Sequence, residues 1–163
     1  MEWIRHGKPS VLGIVTGMVA GLGTITLASG SVGPAAAVVI GLTAGVVCYF
    51  ATITLKNTLK IDDSLDVFPV HGVGGMLGTI LIGVFAAPSL GIFSGNGFSD
   101  GVSSMGGQLY IQIFGVVVTF LFALVGSWIL LKLVDQVIGL RVDDDEETEG
   151  LDLVLHDEPG YYL

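Results

Sequence analysis

The chain has 163 residues, 52% of them hydrophobic and only 13% charged, with a formal net charge of −9 and a mean hydropathy of +0.81. Soluble domains carry about 25% charged residues, so this composition excludes an ordinary water-soluble globule. Six basic residues leave no electrostatic footprint for nucleic acid, and the single Cys48 excludes an intrachain disulfide or a cysteine-based metal site.

Charged residues are absent between Lys8 and Lys56, from Val67 to Ser99 and from Gly101 to Leu131. A bilayer core takes roughly 20 apolar residues per helix, and these stretches hold four such lengths. In chain order they predict spans over residues 11–28, 34–55, 66–87 and 109–137. The second opens at Gly33-Pro34, where proline suits a first turn, and the third stops before Pro88. Residues 88–105 read as a Gly/Ser-rich loop without helical period. The fold class expected is therefore all-α, a polytopic transmembrane bundle over residues 1–138 with an acidic tail over 139–163. That tail holds one arginine against nine acids. No cleavable secretory leader stands out, because the first apolar run is too long and lacks a clear cleavage site.

The basic residues fix a topology. Arg5 and Lys8 precede the first span, Lys56 and Lys60 follow the second, and Lys132 and Arg141 close the fourth. All six then fall on one side, which the positive-inside rule makes the cytoplasm, with both termini and the 56–66 loop. Gly13, Gly17 and Gly21, like Gly41 and Gly45, recur every four residues, a spacing that lets membrane helices approach closely.

The third span carries the chemistry. Asp62, Asp63 and Asp66 stand at its start. Asp63 or Ser64 can cap the helix, and Asp66 is expected in its first turn, where a carboxylate complements the free N–H groups. Three carboxylates at a membrane mouth equally suit the attraction of cations. His71 is the one histidine inside an apolar span, roughly 7 Å deeper than Asp66, and helical spacing places Gly74, Gly75 and Gly78 on its face. An ionisable group there is a functional candidate, or a histidine bonded to a neighbouring helix. A neutral imidazole offers one donor and one acceptor nitrogen, equipment for a small polar solute or a proton relay rather than a bare cation. No nucleophile–base pair, phosphate loop or cofactor motif appears, so neither an enzyme nor a cofactor is expected.

Four stretches resemble the ammonium transporters, the Amt branch of the Amt/Mep/Rh superfamily. They are Gly7-Lys8-Pro9-Ser10 with the glycine-rich span behind it, Val32-Gly33-Pro34, the Asp62–Gly75 block, and a tail pattern. The tail pattern comprises Gly139-Leu140-Arg141-Val142, then Gly150-Leu151-Asp152, His156, Glu158 and Tyr161. The resemblance covers essentially the whole chain but only the last four of the family's eleven helices. Met1-Glu2-Trp3 resembles the family's interior, so the chain reads as the C-terminal part of a transporter.

The resemblance implies a homotrimer with one narrow apolar pore per subunit. His71 looks like the second of its paired pore histidines, with Val67 lining the inner exit and Asp66, Asp62 and Asp63 at the cytoplasmic end. It implies ammonium and ammonia as substrate, a regulatory role for Gly139, Arg141, Gly150, Asp152, His156, Glu158 and Tyr161, and a PII-type signalling protein as partner. The family's first pore histidine, phenylalanine gate and outer recruiting residues belong to helices that precede this stretch. Leu27 stands where the family has proline, Ser31 where it has an aromatic residue, and Asp157 where it has glycine. The alternative is a freestanding four-span membrane protein, a structural or regulatory partner or a non-conducting product.

Overall fold

The computed structural model describes residues 1–158, which are helical and contain no strand. Residues Met1–Val118 form one compact unit, and a second begins at Thr119. The helices are α1 (Glu2–His6), α2 (Val11–Ala28), α3 (Pro34–Ile53), α4 (Gly74–Phe85), α5 (Met105–Val137), α6 (Asp144–Glu149) and α7 (Leu151–His156). Two π-helical turns extend this set, Thr54–Thr58 after α3 and Phe68–Val73 before α4. Counting those turns, four helices among the described residues are long and apolar enough to cross a membrane: Val11–Ala28, Pro34–Thr58, Phe68–Phe85 and Met105–Val137.

The start of α2 is fastened by two side chains. Ser10 is its N-cap, its Oγ accepting from Gly13 N at 2.9 Å, a bond type worth about 1 kcal/mol. The Glu2 carboxylate, from the helix before, accepts from Ser10 N at 2.8 Å and from Ser10 Oγ at 2.9 Å. Those bonds hold the Glu2 carboxyl below its ordinary titration range.

Inside the first unit the helices meet along stripes of mostly small side chains at four-residue spacing, with Ile40 the large exception. On α2 the buried residues are Ala20, Thr24 and Ala28, and on α3 they are Ala36, Ile40, Ala44 and Cys48. The glycine rows contribute less than their spacing suggests. Gly21 lies against Gly41, whereas a Cβ at Gly17 or Gly45 would meet open space. The tightest approach is between α4 and α2: a Cβ on Gly78 would collide with the Thr24 carbonyl, and one on Gly74 would stand 2.8 Å from Thr24 Oγ1. With so little side chain between them, these backbones gain dispersion contacts at short range.

The segment between α4 and α5 is bonded down along its length. Asn96 donates from its side chain to Gly30 O at 2.9 Å and from its backbone to Ser31 O at 3.0 Å. Gln108, 2% exposed, accepts from Ser99 N at 2.9 Å and donates to Ser99 Oγ at 3.0 Å. The glycine-rich loop also contains a short 3-10 turn, Gly91–Phe93, and α5 begins at Met105, ahead of the expected 109.

In the second unit, Leu121, Phe122, Trp128 and Leu133 are exposed on different sides of α5. A helix apolar all round is built for lipid or for other helices. The tail forms two short, exposed helices, with Gly150 between them at φ +106°.

Candidate functional site

The loop between the two π-helical turns holds Asp62, Asp63, Asp66 and Val67, and the second turn holds His71. Asp63 caps the helix that follows: its Oδ1 accepts from Val67 N at 2.9 Å and its Oδ2 from Phe68 N at 2.9 Å. Of the two candidate caps, Asp63 is therefore the one used. Asp66 corrects the sequence expectation. It is not in the first helical turn but just outside it, in the left-handed region at φ +56°. Its carbonyl accepts from Val70 N at 3.0 Å, and its carboxylate turns to Lys56, whose Nζ lies 2.7 Å from Oδ1.

His71 also differs from its expected place. Gly74 and Gly78 are buried while His71 is exposed, so the imidazole is not on the packed face. A π-helical turn adds a residue per turn, and residues Phe68–Val73 rotate His71 out of register with α4. Pro69 and Val70 take the buried positions instead. The imidazole stands near α2, its Nδ1 3.9 Å from where a Cβ on Gly23 would lie.

His71, Val67, Asp62 and Asp63 line one cavity of about 540 Å³, together with Leu55, Ile61, Phe68 and Gly72. Four of the residues singled out in the sequence therefore come together. Asp66 is not among them. It faces a separate cavity of about 680 Å³, which Arg5, Tyr49, Thr52 and Asn57 also line. An imidazole on an otherwise apolar wall, with carboxylates at one end, can exchange a proton or a hydrogen bond with a small solute. Lys56, ten residues before Asp66, had no sequence signal beyond its charge; neither did Glu2 as a cap or Thr24 as a contact.

In the tail, Arg141 Nη2 pairs with Glu147 at 3.0 and 3.1 Å. Gly139 and Gly150 both have positive φ. Asp152 heads α7, its carbonyl accepting from Glu158 N at 3.0 Å, and His156 ends it. Asp157, where the resemblance has glycine, caps α7 at φ +53°, a conformation that aspartate tolerates better than most residues. Tyr161 lies outside the described residues.

Among the described residues, four apolar helices of spanning length define a polytopic α-helical membrane protein. Comparison with known proteins narrows the class. The profile of the Ammonium Transporter Family matches residues 1–161, and the chain belongs to that family. It is 43% identical over 159 residues to the ammonium transporter Amt1 of Archaeoglobus fulgidus, covering 98% of this chain and 39% of that protein. It is 38% identical over 161 residues to the ammonium transporter of Bacillus subtilis, covering 99% of this chain and 39% of that one. Among solved structures it superposes on a sensor Amt protein with a TM-score of 0.82 at 33% identity, over 93% of this chain and 36% of that chain. Candida albicans Mep2 gives a TM-score of 0.74 at 30% identity, over 99% and 39% of the two chains. The chain thus spans about two-fifths of the length of the relatives it matches.

Proposed function

We propose that this chain supplies the last four helices of an ammonium transporter, conducting ammonium-derived ammonia through an apolar pore. The observation that carries the proposal is the family match over residues 1–161. The position of His71 supports it: an exposed imidazole facing a cavity with Val67, Asp62 and Asp63. Burying an unpaired ion costs tens of kcal/mol in idealised estimates. Deprotonation at the mouth, passage of neutral ammonia past the imidazole and separate transfer of the proton avoid that cost. In this reading His71 and Val67 line the conduit, and Asp62, Asp63 and Asp66 hold its cytoplasmic end. The protein sits in the cell membrane with the tail and both ends of this stretch in the cytoplasm, and works as a homotrimer. The tail, through Gly139, Arg141, Gly150, Asp152, His156, Glu158 and Tyr161, regulates conduction together with a PII-type signalling protein.

The test is a chimera in which residues 1–163 replace the matching C-terminal part of the Archaeoglobus fulgidus relative. Methylammonium uptake within about threefold of the parent transporter is the outcome expected. A chimera that reaches the membrane as a trimer but takes up none contradicts the proposal.

A further inference from the structure

Residues 94–97 form a strap within the first unit. Ser94 Oγ donates to Pro88 O at 2.8 Å, and Gly95 N donates to Ala87 O at 3.2 Å. Asn96 N and Gly97 N follow, donating to Ser31 O at 3.0 Å and to Ala86 O at 2.9 Å. The strap runs so close that a Cβ on Gly95 would collide with the carbonyls of Phe85 and Ser31, and one on Gly33 would stand 2.8 Å from Ser94 O. It thereby ties the end of α4 to the turn between α2 and α3.

Asn96 is followed by Gly97, a pairing with its own covalent chemistry. The backbone nitrogen of the residue after an asparagine can attack the side-chain carbonyl carbon Cγ. Glycine at that place has no Cβ to block the approach, whereas Asn57, the chain's other asparagine, is followed by the β-branched Thr58. A bond forms between Gly97 N and Asn96 Cγ, the Cγ–Nδ2 bond breaks, and Nδ2 departs as ammonia with the proton from Gly97 N. Water then opens the cyclic imide at either carbonyl and leaves aspartate or isoaspartate. Asn96 is exposed, so solvent supplies that water.

In the fold both reacting groups are occupied. Asn96 Nδ2 donates to Gly30 O at 2.9 Å, and the Gly97 N–H is committed to Ala86 O. Attack therefore waits for the strap to open, and its rate follows the open fraction. The product does not close again in the same way. An ionised aspartate only accepts hydrogen bonds, so it meets the Gly30 carbonyl without a donor. Isoaspartate instead adds a methylene to the backbone between the Ser31 and Ala86 contacts.

We propose that Asn96-Gly97 is a deamidation site held in check by the strap, and that its conversion unfastens the strap irreversibly. The inference stands apart from the pore reading.

The experiment incubates the full chain, purified in detergent, in mildly alkaline buffer and follows Asn96 and Asn57 by mass spectrometry of their peptides. With the chain unfolded in guanidinium, Asn96 is expected to convert at least about tenfold faster than Asn57. In the fold it should convert at least about tenfold more slowly than when unfolded. Gly95→Ala, which displaces the strap, should convert at least about threefold faster than folded wild type. Equal rates at the two asparagines in the unfolded chain overturn the proposal, as do equal rates at Asn96 in the folded and unfolded chain. A folded Gly95→Ala that converts no faster than wild type overturns it too.

Amide exchange supplies a second reading. Protection of the Gly97 N–H in wild type should match the slowing of deamidation within about threefold, and a mismatch overturns the proposal even where Gly95→Ala does not fold. Asn96→Asp should speed exchange at Gly97 by at least about fivefold. Unchanged exchange there would mean that the strap stays fastened, and overturns the irreversible release.

Discussion

Lys56 Nζ lies 2.7 Å from Asp66 Oδ1, joining the end of one membrane span to the start of the next across a nine-residue loop. The aspartate it holds is in a left-handed conformation at φ +56°, and the helix carrying His71 begins at the following residue. Breaking a buried pair by removing one partner costs about 3–5 kcal/mol, and an exposed pair is worth at most about 1. With one partner half-exposed, Lys56→Met should cost about 1–2 kcal/mol. Lys56→Met/Asp66→Asn should cost less than Lys56→Met alone, because no charge is then left enclosed. Additive losses in a double-mutant cycle would show that the two side chains do not act together.

Gly78 is where α4 presses on the α2 backbone at Thr24. Gly78→Ala forces the helices apart and should destabilise the bundle by about 1–3 kcal/mol, the usual range for overpacking. Gly45→Ala, where the added methyl meets open space, should be neutral or stabilising by up to about 1 kcal/mol. Thermal unfolding of the two variants side by side checks this, and an equal loss in both would remove the contact from the account.

The Glu2–Ser10 bonds make the start of α2 sensitive to pH. The Glu2 carboxyl titrates lower in the fold than its ordinary value of 4.5, chiefly because Ser10 N donates to it, then because Ser10 Oγ does. A group with a depressed folded pKa stabilises above its unfolded pKa, and that contribution disappears as pH falls through the folded value. Wild type should therefore lose stability relative to Glu2→Gln as pH drops below about 4.5. Parallel pH profiles throughout would contradict the assignment.

At the C-terminal end of α7, Asp157→Gly should stabilise the helix by up to about 1 kcal/mol, since glycine takes a positive φ without the Cβ penalty. Amide exchange at Leu153 to His156 measures it directly. Faster exchange in the variant would mean that the aspartate side chain, and not the turn, holds this end.

The spans were legible because absence of charge is a strong signal over 18 or more residues. The chemistry-bearing loop was legible as residue types but not as geometry. Asp66 in a left-handed turn and two π-helical turns break the 3.6-residue period on which any helical-face argument depends. That is why His71 left the face of Gly74 and Gly78. Gln108 reads as a polar residue at the start of a span, and only its two bonds to Ser99 show why it is buried. The tail's acid run gave no apolar period from which to read two helices.

Whether His71 lines the path of the conducted species is decided by one measurement on the chimera: methylammonium uptake with and without His71→Ala. A pore lined by His71 loses at least about tenfold of its uptake, or changes selectivity towards cations, in a variant present in the membrane at parental amount. Unchanged uptake with unchanged selectivity would contradict it.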